Sequence, residues 1–302
     1  MDRIQSILVS VDRNDSAEPT LAKGLELARL FRARVELFLC DAERAYALKH
    51  EYDRRVVPQA RDKCLSDGRD YLRALLARVG PRDASVTIEV ECESPLYEGI
   101  VHRVQQSLPD LVVRAIGGNG ATDSTALNAA DWSLIRTCPA PLLLTRARPW
   151  KGPPRIAAAV DLSRDEFPDL TQEILRSASL WQARSGASVE VVYADAASDR
   201  DGLRALDALL HRKVAEAEIR DGHVRVLAGD PAIALPQLAA ARHFDLLIMG
   251  ALAHRPGATD LVGTLTARLV DVLEGDCLLV KPAGYACQVE APRPDAAPDP
   301  AR

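Results

Sequence analysis

Residues 245–282 read DLLIMGALAHRPGATDLVGTLTARLVDVLEGDCLLVKP, and their succession of apolar run, glycine-bearing loop, amphipathic segment and second apolar run decides the fold. Residues 246–249, bounded by Asp245 and Gly250, have the length and unbroken apolarity of a strand buried on both faces, and residues 277–280 repeat it. Between them Leu265, Leu269, Val272 and Leu273 fall at helical spacing behind Gly263 and Thr264. The start of such a helix suits an anion. Its first amides lack intrahelical partners, the dipole is positive there, a glycine admits close approach, and a threonine adds a hydroxyl donor. A glycine-rich turn that merely caps a helix is the simpler reading of the same residues.

Working outward, the same succession occurs twice. Residues 4–11 and 155–160 are apolar first strands ending before Asp12 and Asp161, each followed by a helix with one buried stripe: Leu21, Leu25, Ala28 and Phe31 in one, Leu170, Ile174, Ala178 and Trp181 in the other. Second strands are expected at 34–39 and 188–193, third at 84–90 and 223–227, fourth at 110–113 and 245–249, fifth at 141–144 and 277–280. The halves differ most at 41–80, a charged connection and one long helix, against a single shorter helix at 199–219. Short helices are expected at 95–107 and 231–242, the second becoming regular near Pro236. Matching the strand ends gives a constant offset of 136 residues (250 minus 114), which sets Gly250 on Arg114, Gly263 on Leu127 and Thr264 on Asn128.

A repeat this long means duplicated domains rather than a solenoid. The chain is therefore expected to be an α/β protein of two doubly wound domains, each a five-stranded parallel sheet with helices on both faces. Residues 1–149 form one and 150–284 the other, joined by a stiff Pro/Gly linker from Arg148 to Pro154, while 285–302 have too little apolar content to order themselves. Ligands in such sheets bind beyond the carboxyl ends of the strands, the edge shared by Asp161, Ala194 and the loop after Gly250.

Composition narrows the function. With 38 Lys and Arg against 43 Asp and Glu the formal charge is −5, which disfavours non-specific nucleic-acid binding. Six scattered cysteines include no Cys-x-x-Cys pair and read as buried thiols of a reducing compartment. No run approaches the ~18 apolar residues of a membrane span, so a cytoplasmic protein without membrane contact is expected. The histidines lie at none of the spacings of a hydrolase triad, and Asp62, Asp67 and Asp70 read as a solvated helix face rather than a metal cluster.

Gly250, two residues, Ala253, nine residues, then Gly263-Thr264 resembles the loop pattern of the universal stress protein family, with Ala253 in place of a glycine. Gly229-Asp230-Pro231, the segment Asp131 to Pro141 and Arg148-Pro149-Trp150 are similar to the tandem members of that family, the UspE type. The resemblance spans about residues 4–283 and implies the adenine-nucleotide α-hydrolase-like strand order 3-2-1-4-5. It further implies a stress-response role and a site for ATP, with or without Mg2+, in the second domain. By it Asp161 would meet the adenine amino group, Ala194 would offer backbone groups to the base, and Gly250, Ala253, Gly263 and Thr264 would hold ribose and phosphates. Asp161 also suits a helix N-cap, and Ala194 an ordinary strand exit. Family domains pair through their last strands, so the edges at 142–144 and 278–280 are expected to cover one another; homodimerisation is left open. The first domain departs from the glycine pattern and is expected to be degenerate. Two rival readings are an interaction scaffold whose pocket is empty or filled by an apolar ligand, and a slow ATPase, which lacks an identifiable base or Walker-type lysine.

Overall fold

The β-branched and leucine-rich runs of the first half form five strands, β1 (Ser6–Ser10), β2 (Arg34–Cys40), β3 (Val86–Glu91), β4 (Leu111–Ala115) and β5 (Leu142–Thr145). The helices between them are α1 (Ala17–Phe31), α2 (Ala42–His50), α3 (Val57–Val79), α4 (Leu96–Ser107) and α5 (Ala129–Thr137). The second half repeats the succession with β6 (Arg155–Ala159), α6 (Pro168–Ser185), β7 (Ser188–Asp195), α7 (Arg200–Glu216), β8 (His223–Ala228), α8 (Pro231–Ala241), β9 (Leu246–Gly250), α9 (Val262–Val272) and β10 (Asp276–Val280). This computed structural model describes residues 3–80, 84–116, 127–146, 148–162, 168–196, 199–251 and 262–291.

Each half is a parallel sheet of order 3-2-1-4-5, and the two join into one ten-stranded sheet, β3-β2-β1-β4-β5-β10-β9-β6-β7-β8. The join is antiparallel, with Leu142, Leu143 and Leu144 opposite Leu279, Leu278 and Cys277. Two leucine-rich edges that would otherwise template aggregation cover each other. Because strand side chains alternate, the sheet separates two cores: Val9, Val113, Leu143, Ile156, Ile248 and Leu278 face one, and Leu8, Val112, Leu144, Ala157, Leu247 and Leu279 face the other.

The linker also binds the halves together. Trp150 packs edge-on to Trp181 of α6, which in turn meets Phe31 of α1 with ring centroids 5.0 Å apart. The Lys23 ammonium, from α1, lies 4.3 Å from the Trp150 ring centre and 3.3 Å from the Asp276 carboxylate of β10. Asp276 also accepts the Thr145 hydroxyl at 2.7 Å and the Arg146 amide at 3.0 Å.

The register corrects the offset read from sequence. Ile7 pairs with Leu111 and Ile156 with Leu246, which sets the halves 135 apart (246 minus 111). Equivalent side chains repeat at that spacing: Asp110 accepts the Ser6 amide at the start of β1, and Asp245 accepts the Arg155 amide at the start of β6. Apolar runs match almost as well when slid by one residue, whereas these aspartates cannot slide. Gly250 therefore stands on Ala115, Gly263 on Asn128 and Thr264 on Ala129, and Arg114 stands on Met249.

Three further segments differ from expectation. The charged connection after β2 contains the helix α2, started by the Asp41 carboxylate accepting the Arg44 amide. Helix α8 runs from Pro231 straight through Pro236. The carbonyl deprived of its usual partner, that of Ala232 four residues earlier, accepts from the Arg268 guanidinium of α9 at 3.1 Å. Residues 285–291, expected to belong to a disordered tail, are held against the first half; residues 292–302 lie outside the described residues. Tyr285 hydroxyl donates to the Arg136 carbonyl, the Cys287 thiol to the Thr137 carbonyl, and Gln105 of α4 to the Val289 carbonyl. Few apolar residues are needed there because the segment is held by backbone acceptors. Lys281 joins it by donating to the Arg136 and Cys138 carbonyls at the end of α5, where burial pulls its ammonium down to about 8.

Candidate functional site

Strand β6 lies between β7 and β9, so the carboxyl edge of the second half has its switch in strand order there. Asp161 follows β6 by two residues and is exposed; its backbone carbonyl accepts the Thr171 hydroxyl of α6 at 2.5 Å. Ala194 is the penultimate residue of β7 and buried, and Gly250 ends β9, paired with Val280 of β10. Tyr193, beside Ala194, is pushed up to about 12 by burial and by the carboxylates of Asp195 and Asp161. Gly263 and Thr264 fall in the first turn of α9, among the amides that have no intrahelical acceptor. Ala253, with Leu252, His254 and Arg255, lies outside the described residues.

Gly250 owes its identity to something other than a left-handed turn. It is a strand residue with no positive φ, and a Cβ there would come within 2.7 Å of Leu170 Cδ2. The glycine lets α6 sit close on β9. The equivalent Ala115 carries a Cβ on the same backbone. Gly229, by contrast, does have positive φ, and it delivers Asp230 to cap α8 through the Ala232 amide at 2.8 Å.

The first half has a different edge. Arg114 is buried in β4, 1 % exposed, and reaches three side chains. Its guanidinium donates to both Asp12 oxygens at 2.9 and 3.2 Å and to Asp131 Oδ1 and Ser10 Oγ at 3.4 Å. Asp131, fully buried, also accepts the Asn128 amide at the start of α5 while Asn128 accepts the Asp131 amide, a reciprocal cap. Burial alone would weaken the guanidinium charge; Asp12 and Asp131 more than offset it, and its pKa is raised. Asp12, which matches Asp161 at the end of its first strand, thus has its carboxylate engaged from inside the protein. The second half places Met249 and Thr266 where Arg114 and Asp131 stand. The signal for this triad was an arginine inside a five-residue apolar strand, which one residue of register had moved into the loop.

The described part of the second edge fits an adenine nucleotide: an exposed carboxylate for the base, strand ends on both sides of it, and a helix start for phosphate oxygens. Among the described residues no group of three or more His, Cys, Asp or Glu could hold a metal, and no helix is long and apolar enough to cross a membrane.

Comparison with known proteins agrees with the duplication. The Universal stress protein family matches residues 3–146 and again 155–281. Universal stress protein E of Photorhabdus laumondii is 19% identical, covering 96% of this chain and 99% of that protein, and Universal stress protein E of Escherichia coli K12 is 20% identical, covering 96% and 98%. Among solved structures, a functionally unknown protein of Pseudomonas aeruginosa shares the fold with a TM-score of 0.69 at 21% identity, over 92% of this chain and 93% of that one. Two matched domains, the doubled 3-2-1-4-5 sheet and relatives of equal length lead to one conclusion: this chain belongs to the universal stress protein family, as a member with two such domains in tandem.

Proposed function

We propose that this protein is a stress-response factor whose second domain binds ATP or a related adenine nucleotide at the carboxyl edge of β6, β7 and β9, and whose first domain does not. One observation carries the asymmetry. Asp12 is clasped by a buried arginine, whereas its counterpart Asp161 is exposed and has Met249 at the arginine's position. Asp161 accepts from the adenine amino group, and the first turn of α9, with Gly263 and Thr264, receives the phosphates. Binding stabilises the second domain by RT ln(1 + [L]/Kd), which makes nucleotide a signal of state without any chemistry.

Calorimetry of the full chain with ATP tests this. The expected result is one site per chain, weakened at least about tenfold by Asp161→Ala, the loss of one charge-assisted hydrogen bond, and unaffected by Asp12→Ala in a protein shown to be folded. Two equivalent sites, or an Asp161→Ala protein that binds normally, would overturn the reading. Absence of binding, with no nucleotide released on denaturing freshly purified protein, would favour an interaction scaffold.

A further inference from the structure

Helix α3 approaches β3 closely at Gly68, where a Cβ would lie 2.6 Å from Val90 Cγ1. One helical turn before Gly68 stands Cys64, and two residues after Val90 stands Cys92, so the same close approach brings the next layer of side chains together. The two thiols, 1 % and 8 % exposed, share a small core of their own with Leu48, Ala45, Ala60 and Leu65. Neither belongs to the site described above. The roof of this core is α2, the helix present only in the first half, whose sole buried residue is Leu48. Its side-chain ion pairs are an exposed one, Arg44 to Asp67 at 2.9 Å, and a long one, Arg44 to Asp41 at 3.7 Å. A helix so lightly held is the part of the domain that opens at least cost.

We propose that Cys64 and Cys92 are a reversible dithiol–disulfide couple, oxidised by a low-molecular-weight disulfide when α2 lifts. Cys64 attacks one sulfur of the oxidant RSSR, forming a Cys64–S–S–R mixed disulfide and releasing RS−, which takes up the Cys64 proton. Cys92 then attacks the Cys64 sulfur, expelling the second RS− with its own proton. Two S–H bonds are lost, one protein S–S bond forms, and two electrons and two protons leave as two RSH. Cys64 is the attacking sulfur because it stands on α3 three residues before Asp67, the Arg44 partner, and that guanidinium favours its thiolate. Burial pushes both thiols up, Cys92 to about 12, so the closed pair is inert and the roof sets the rate.

The test is incubation of the full-length protein with oxidised glutathione, acid quench, alkylation and peptide mapping. The expected product is a peptide pair linked through Cys64 and Cys92, with Cys277 still fully alkylated. Oxidation should be at least threefold faster in Leu48→Ala, and reversed by dithiothreitol. In Cys92→Ser the glutathione adduct on Cys64 should persist, since the resolving sulfur is gone. Leu48→Ala that oxidises no faster than wild type overturns the role of α2. A wild-type product in which Cys64 and Cys92 remain alkylated, or stop at two separate glutathione adducts, overturns the couple itself.

Discussion

The carboxyl edges of the two domains share a strand order and differ in the side chains around the aspartate that follows the first strand. In the first, Asp12, Arg114 and Asp131 form a satisfied charge cluster under α5; in the second, Asp161, Met249 and Thr266 leave an aspartate exposed at the switch point. One strand position, arginine against methionine, separates an aspartate engaged from inside the protein from one that is exposed. A duplicated fold can thus keep its strand order while one copy turns the carboxylate after its first strand into internal structure.

The comparison breaks most sharply at Arg114. Arg114→Met leaves Asp131 buried without its cation and should cost roughly 3–5 kcal/mol, read from the shift of the urea unfolding transition. Adding Asp131→Thr, which installs the second domain's pair of residues, should recover most of that loss, because a buried ion pair replaced as a whole by packed neutral groups is close to neutral. No recovery would mean that the triad's worth lies in the α5 cap rather than in charge.

A second asymmetry lies across the seam. Asp276 holds Lys23, whereas its counterpart is Pro141, which lines a cleft of about 470 Å³ with Glu173, Lys281 and Tyr285. Lys23→Met should cost about 2–3 kcal/mol at neutral pH, less than Arg114→Met because Thr145 and Arg146 still donate to Asp276. The pH dependence has a definite sign. Burial raises the Asp276 carboxyl above its ordinary 3.8, and Lys23 only partly counters that. A raised folded pKa contributes stability that is complete below pH 3.8 and lost as pH rises through the folded value. Without Lys23 the folded value climbs further, so the Lys23→Met deficit should be smaller at pH 5 than at pH 7.5. Equal deficits in thermal melts at the two pH values would remove Asp276 from the account.

The smallest effect belongs to Gly250. Gly250→Ala should cost about 1–3 kcal/mol through the collision with Leu170, and Leu170→Val should return part of it, since Ala115 shows that the backbone tolerates a Cβ. Calorimetry of the double variant sharpens the comparison: unchanged ATP affinity would make Gly250 a packing residue, whereas lost affinity despite restored stability would make it part of the phosphate cradle.

Most of the fold could be read in advance because it rests on periodicity. Runs such as 246–249 and 277–280 have one stable use, and their repetition at 110–113 and 141–144 announced the duplicate. The site was legible only as an edge. Asp161, Ala194 and Gly250 lie at or just past the ends of neighbouring strands, but the reason for Gly250 sits on α6, 80 residues earlier (250 minus 170), and nothing in its own loop betrays Leu170. Pro236 misled because the arginine that satisfies its orphaned carbonyl comes from another helix.

What the sequence determined alone was which segments become strands and, α2 apart, helices, that there are two copies, and that β5 and β10 carry apolar edges in need of cover. Tertiary structure decided the rest: the register that puts Arg114 inside β4 and against Asp12, the small buried core that Cys64 and Cys92 share, and the anchoring of residues 285–289 on α4 and α5. The division has a physical cause. Local patterns fix an element because its apolar face must be buried somewhere, and sliding it by one residue hardly changes that gain. Choosing among registers and partners depends on charges and close approaches between residues far apart in the chain, and those exist only once the chain has folded.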